Sequence, residues 1–418
     1  MLNRFRSCAL VAAAACTCAV LSTASAQSTI TIFGQEYNVS RINYSDAIRL
    51  PRNNPLSPLV PFIESEGVQY IGENKILLSA DDIADVATNI DDNWIVEVQL
   101  EEVDCQIVGI TSWRKIFSQN PTAAGYDLNP TGVTFNPTAS GFGGGGNVIA
   151  SRGDGYLYAY SAQAGSLGTQ LSFPIGTDCL AVPLTCGLPV DSRNSNMEDV
   201  SFAPINGGVF LAINQDRPTV EKWNATTGAF ISDFPVGFAI PTALALADAK
   251  GVTFAAESEF LPPTLRGAGG VVIVSFDDNF PGLQAFDTDG NLLATEPLTV
   301  DGTNTGAPRL NVSDCIAGVL QIESLSFDPS TGRIFLNNQG ALTFCNYLWV
   351  LTPTSYTCSA CPVCPADYNQ DGGVTGDDIS AFFADFEAGS GCADTNVDGG
   401  ITGDDIATFF IAFEAGGC

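Results

Sequence analysis

Oxygen-bearing side chains recur at a fixed spacing near the C-terminus, in DYNQDGGVTGDDISAFFADFEAG from Asp367 and DTNVDGGITGDDIATFFIAFEAG from Asp394. Each stretch places oxygens at loop positions 1, 3, 5, 9 and 12 and glycine at position 6, the pattern of a twelve-residue calcium loop. The ligands so predicted are Asp367, Asn369, Asp371, Thr375 and Asp378 in the first copy, with the Gly373 carbonyl at position 7. In the second they are Asp394, Asn396, Asp398, Thr402 and Asp405, with the Gly400 carbonyl. A hard cation takes six to eight oxygens at about 2.3–2.6 Å, and only a tightly turned loop aims alternate side chains inward. Position 12, commonly a bidentate Glu, is Asp in both copies. After each loop, Ile379, Phe382, Phe383 and Phe386, then Ile406, Phe409, Phe410 and Phe413, fall on one face of a helix. Each half therefore reads as loop then helix, without a leading helix, and two Ca2+ ions are expected.

Two such units with Asp at position 12 resemble the dockerin module, which docks onto a cohesin domain. The opening Cys-Pro-Ala-Asp at Cys364 and the terminal Gly-Cys look like dockerins of planctomycete-type bacteria. The resemblance implies a cohesin-bearing partner and puts the residues that choose it at loop positions 10 and 11, Gly376 with Asp377 and Gly403 with Asp404. Because the two pairs are identical, the module is expected to offer the same face in either of two orientations.

The rest of the chain must export and carry this tail. MLNRFRS, an apolar stretch through Leu21 and Ala24-Ser25-Ala26 have the layout of a secretory signal peptide, and cleavage after Ala26 would leave 418 − 26 = 392 residues. No later apolar run is long enough to span a membrane. Of 13 cysteines, Cys8, Cys16 and Cys18 leave with the signal, so ten remain, an even number suited to an oxidising compartment. Cys179 with Cys186, Cys315 with Cys345, and Cys364 with Cys418 are the expected pairs. The net charge of −30 opposes nucleic acid or an anionic membrane as partner. The absence of histidine excludes a Ser-His-Asp or Cys-His nucleophile, an HExxH zinc site and any imidazole base.

From Gln27 to Pro353 short β-type runs alternate with Gly, Pro, Asn and Asp. One strand-turn-strand phrase recurs, from Glu66, Thr131, Glu198, Thr242 and Glu323. Repeated units of about 40–65 residues, each a small meander, predict a β-propeller. The five openings imply five blades; a sixth fits between Thr242 and Glu323, and STITIF from Ser28 would complete the last blade. The phrases beginning at Glu66, Glu198 and Glu323 look like those of secreted propellers related to phytase-like esterases and gluconolactonases. In such propellers acids at the start of the innermost strand hold a divalent metal. Glu66, Glu198 and Glu323 take that place, with Gly132 and Ala243 in the other two copies, so a third Ca2+ or a strand-capping role are both open. GFGGGG from Gly141 reads as a flexible turn, Asp81-Asp82 and Asp91-Asp92 as solvated acids, and Trp94, Trp113, Trp223 and Trp349 as blade core. CxxCxxC at Cys358, Cys361 and Cys364 reads as disulfide-forming rather than cluster-binding.

The predicted organisation is a signal peptide over 1–26, a mostly β propeller of five or six blades over 27–353, a linker over 354–363 and a small α calcium-binding module over 364–418. Three functional readings stand: a surface or matrix component tethered by its dockerin, a calcium-dependent hydrolase of a phosphate ester, lactone or ester, and a carbohydrate-active protein of a cellulosome-like system.

Overall fold

The computed structural model describes residues 29–51, 59–61, 65–80, 94–103, 105–118, 130–136, 147–152, 156–161, 197–214, 218–237, 249–276, 282–300, 309–310, 322–338, 346–356, 364–369, 372–388, 391–396 and 401–416. The Gly141 turn, Asp81, Asp82, Asp91, Asp92, Asp371, Asp398, Gly400, and Cys179, Cys186, Cys315, Cys345, Cys358, Cys361 and Cys418 lie outside these residues. Cys105, Cys364 and Cys392 are disulfide-bonded.

The chain is mostly β and has a propeller-like arrangement of antiparallel meanders. The sheets run Ser65–Gly72 to Gln106–Ser118, Pro130–Asn136 to Tyr156–Ser161, Met197–Ala203 to Phe230–Pro235 and Ala249–Ala255 to Leu292–Pro297. A further sheet begins at Ile322–Phe327 and continues through Ile334–Asn338 and Tyr347–Pro353. The first strand of each meander lies beside the first strand of the next, and Ile322–Phe327 lies beside Ser65–Gly72, which closes a ring. Alternating side chains make both faces of each sheet apolar, so core clusters fill the gaps between neighbours. Leu77 and Ile95 meet Val133 and Val148 in one gap, and Leu211 and Ile213 meet Val252 and Val272 in another. Trp94, Trp223 and Trp349 are buried in these gaps and Trp113 packs against one, as core residues should.

The last sheet takes its outer strands from the N-terminus, in a different manner from that expected. Gln35–Asn43, not the STITIF run, pairs with Tyr347–Pro353, and Thr29–Ile32 adds a fifth strand outside it. Ile30, Ile32 and Tyr37 are thereby buried against the cluster containing Leu336 and Trp349. Among the described residues, the span between Thr242 and Glu323 holds one four-stranded meander and a two-stranded parallel pair, Thr299–Val300 with Arg309–Leu310. Ala249–Ala255 is the first strand of that meander, so the phrase read from Thr242 as strand-turn-strand is out of register. The wanted pattern is AKGVTF at Ala249, which matches SEGVQY, PTGVTF, MEDVSF and IESLSF.

Two helices, Gly376–Ala388 and Gly403–Ala415, follow the two loops of the tail. Phe382 and Phe409 stack across them with centroids 4.2 Å apart and planes 4° apart, and Tyr368 stands edge-on to both.

Close approach at the ring axis limits side-chain size there. A Cβ on Gly132 would stand 2.4 Å from Asp199 Cα, and one on Gly67 2.9 Å from Gly132 Cα. Gly132→Ala should therefore cost about 1–3 kcal/mol in urea unfolding through overpacking, whereas Gly376→Ala, with nothing within 4 Å of the new methyl group, should not.

Candidate functional site

The position-12 acids of the two tail loops make matching bonds. Asp378 accepts the Asn369 N–H at 3.0 Å on one oxygen and the Thr375 N–H at 2.7 Å on the other. Asp405 accepts the Asn396 N–H at 3.2 Å and the Thr402 N–H at 2.8 Å in the same way. Thr402 caps its helix and Asp405 reciprocates in a capping box, so position 9 and position 12 start the helix as well as facing the loop. Burial alone would raise both carboxyls, yet the backbone N–H groups around them outweigh it and hold Asp378 and Asp405 below the usual carboxylate range. Asp367 Oδ2 accepts the Gly372 N–H at 3.1 Å, while Oδ1 is buried without a hydrogen-bond donor. A hard cation would satisfy such an acceptor, so the donor set fits Ca2+. Among the described residues no group of three His, Cys, Asp or Glu gathers at metal-binding separation. Asp371 and Asp398, the third acid of each loop, are not among them. Gly376, Asp377, Gly403 and Asp404 are exposed on the first turns of the two helices. The copies differ at Tyr368, whose hydroxyl donates to Asp385 at 2.8 Å, and at its counterpart Thr395, which donates to the Asp405 carbonyl at 2.8 Å.

In the ring, each first strand carries a β-bulge at the same place, where one extra residue is inserted opposite the second strand. The residues at this place are Glu66, Thr131, Glu198, Lys250 and Glu323. Thr131 and Lys250 thus stand where the sequence reading put Gly132 and Ala243; Thr242 and Ala243 lie outside the described residues. Lys250 Nζ lies 3.6 Å from Glu198 and 3.3 Å from Glu323, with both carboxylates buried. An ammonium therefore stands where the metal reading of Glu66, Glu198 and Glu323 needs a divalent ion, and it supplies the counter-charge itself.

The next residue along, Gly67, Gly132, Asp199, Gly251 or Ser324, closes the axis. Asp199 accepts the Val200 N–H at 2.8 Å, the Val252 N–H at 3.0 Å and the Ser324 hydroxyl at 2.7 Å. Ser324 in turn accepts the Val68 N–H at 3.1 Å. One level further, Thr134, Ser201 and Ser326 accept the N–H groups of Phe202, Phe254 and Tyr70. Burial pushes the Asp199 carboxyl well up, against the lowering by Ser324, Val252 and Val200.

Beyond this floor the first strands end in Tyr70, Phe135, Phe202, Phe254 and Phe327, which line a cavity of about 740 Å3. Gln69, Asp328, Glu102, Arg333 and Tyr356 complete its wall. Arg333 is buried, pairs with Glu102, donates to the Cys105 carbonyl at 2.9 Å and sits over the Tyr356 ring. Sequence reading missed Lys250, Asp199 and this cavity. The repeated small–Val–polar–aromatic signature was the available signal, once the fourth unit is set in register.

No family model matches the chain, and no curated protein matches it. Among solved structures it is similar to one titled "Crystal structure of Nidogen/Laminin Complex", at TM-score 0.31 and 12% identity, covering 63% of this chain and 70% of that one. It is also similar to an auxiliary nutrient binding protein from Bacteroides ovatus, at TM-score 0.37 and 11% identity, covering 77% of this chain and 66% of that one. Overlaps this loose assign no activity.

Asp199 gives a signed pH dependence. Its folded pKa is raised, so its contribution to stability is complete below the unfolded value of 3.8 and is lost as pH rises through the folded value. Urea unfolding across about pH 4 to about pH 8 should show wild type losing stability relative to Asp199→Asn as pH rises. Parallel curves would remove Asp199 as the source.

Proposed function

We propose that the chain is exported and held at a cell surface or in an extracellular complex by a calcium-dependent dockerin–cohesin contact, with a five-bladed propeller as its binding domain. The observation that carries the anchoring half is the duplicated loop, in which each position-12 Asp is already seated on two backbone N–H groups and Asp367 keeps a buried oxygen without a donor. Two Ca2+ ions would be held by Asp367, Asn369, Asp371, Gly373, Thr375 and Asp378, and by Asp394, Asn396, Asp398, Gly400, Thr402 and Asp405. Exposure of Gly376, Asp377, Gly403 and Asp404 on matching first turns leaves the partner-reading positions accessible. The five-bladed count rests on five first strands that share a bulge at one equivalent place and one signature. For the propeller itself, a binding role is supported by a closed axial floor and a half-open cavity above it. Hydrolysis through Glu66, Glu198 and Glu323 is less favoured because Lys250 bridges two of the three.

Calcium titration calorimetry on the chain from Gln27 should register two ions, and Asp378→Ala with Asp405→Ala should remove both. Calcium binding that survives in that double variant would place a further ion in the propeller and reopen the hydrolase reading. Asp377→Lys with Asp404→Lys should keep calcium but abolish binding to a cohesin domain in surface plasmon resonance; unchanged affinity would take these residues out of the interface.

A further inference from the structure

The cavity at the end of the first strands has a chemistry of its own. Its volume of about 740 Å3 falls in the range of small-molecule sites, and Tyr70, Phe135, Phe202, Phe254 and Phe327 line it. The aromatic residues come from equivalent positions of successive units, so rings approach from several sides of one axis. Phe135, Phe202, Phe254 and Tyr70 are half-buried, which leaves part of each ring to the cavity.

The polar groups of the floor are already satisfied within the protein. Gln69 donates to the Tyr70 carbonyl at 2.7 Å and to Ser326 at 3.1 Å, and accepts from Thr134 at 3.1 Å. Asp328 is held by Ser330 and Thr331, and Glu102 by Arg333 and Asn74. A ligand that relies on hydrogen bonds to the floor would have to break these, so selectivity must come from the rings and from the field.

That field leans negative: Glu73, Glu102 and Asp328 line the cavity, and although Glu73 pairs with Lys75 and Glu102 with Arg333, no described ion pair reaches Asp328. The Tyr70 hydroxyl is pushed up by burial and then by Asp328, whose effect exceeds the opposing one of Arg333. The Tyr356 hydroxyl is pushed up by burial and then by Glu102, again more than Arg333 lowers it. One ring of the wall already carries a cation, since Arg333 Cζ lies 4.8 Å from the Tyr356 centroid. Aromatic faces attract cations through their quadrupole, most strongly where water is displaced.

We infer that this cavity binds a small organic cation with an apolar body, of the quaternary ammonium class, seated against Phe135, Phe202 and Phe254 with Tyr70 beside it. The inference deepens the reading of the propeller as a binding domain and is independent of the tail.

The test compares choline with its neutral carbon isostere, dimethylbutanol, by calorimetry on the whole chain with calcium present. Choline should bind at least about tenfold more tightly than the isostere. Equal affinities, or no choline binding, would overturn the assignment. Phe202→Leu and Phe254→Leu keep apolar volume but remove the ring, and each should weaken choline by about fivefold or more while leaving the isostere unchanged. Choline affinity unchanged in both variants would also overturn it. Calcium titrated into calcium-free samples of the same preparations reports on the tail, so calcium binding without choline binding sinks the ligand class alone and leaves the anchoring reading standing.

Discussion

Around the ring axis the inner edges of the first strands face one another without forming a ladder, and every buried N–H there needs an acceptor. Side chains supply them in a fixed register: Asp199 and Ser324 reach the valine of the next unit, and Thr134, Ser201 and Ser326 reach the aromatic two residues on. Strands close enough for such short side chains to bridge leave no room for a Cβ at Gly67, Gly132 or Gly251. The bulge before this position follows from the same crowding. It puts one extra residue into each strand and sets Glu66, Thr131, Glu198, Lys250 and Glu323 at equivalent places, outside the stitched layer.

This arrangement makes the axis a plug with two unlike ends. One end is a ring of charge in which Lys250 stands between two buried carboxylates. The other is a bowl of aromatic edges over a hydrogen-bonded floor. Between them, the engaged floor side chains Asp199 and Ser324 hold neighbouring first strands together.

In the tail, the two helices and their buried faces at Phe382 and Phe409 were legible from the sequence, because apolar spacing and the helix starts follow from local rules, and Thr402 with Asp405 needs only positions three apart. The β class was equally plain from alternation and turn residues. What failed was register. Gly251 and Val252 carry the same signature as Gly132 and Val133, but the apolar run from Thr242 offered an equally good strand pattern, and a one-unit misreading hid Lys250. Propensity has no means of choosing between two acceptable strands; contact with Asp199 and Ser324 does. The partner of Glu198 and Glu323 was illegible for the same reason, since a lysine contributed by a neighbouring unit is invisible to a search for clustered acids.

Because the outer strands of the last sheet come from residues 29–43, ribosomes deliver the closing hairpin long before its dock, Tyr347–Pro353, exists. For that whole interval the edge of Gln35–Asn43 that Tyr347–Pro353 will cover stays unpaired, and an unpaired edge is an invitation to the wrong neighbour. The ring therefore cannot mature sheet by sheet to completion: its final act is a pairing across nearly the full length of the β domain. Once made, that seam ties residues 29–43 to residues 347–353 in one sheet, so the two ends of the β domain share a single set of hydrogen bonds.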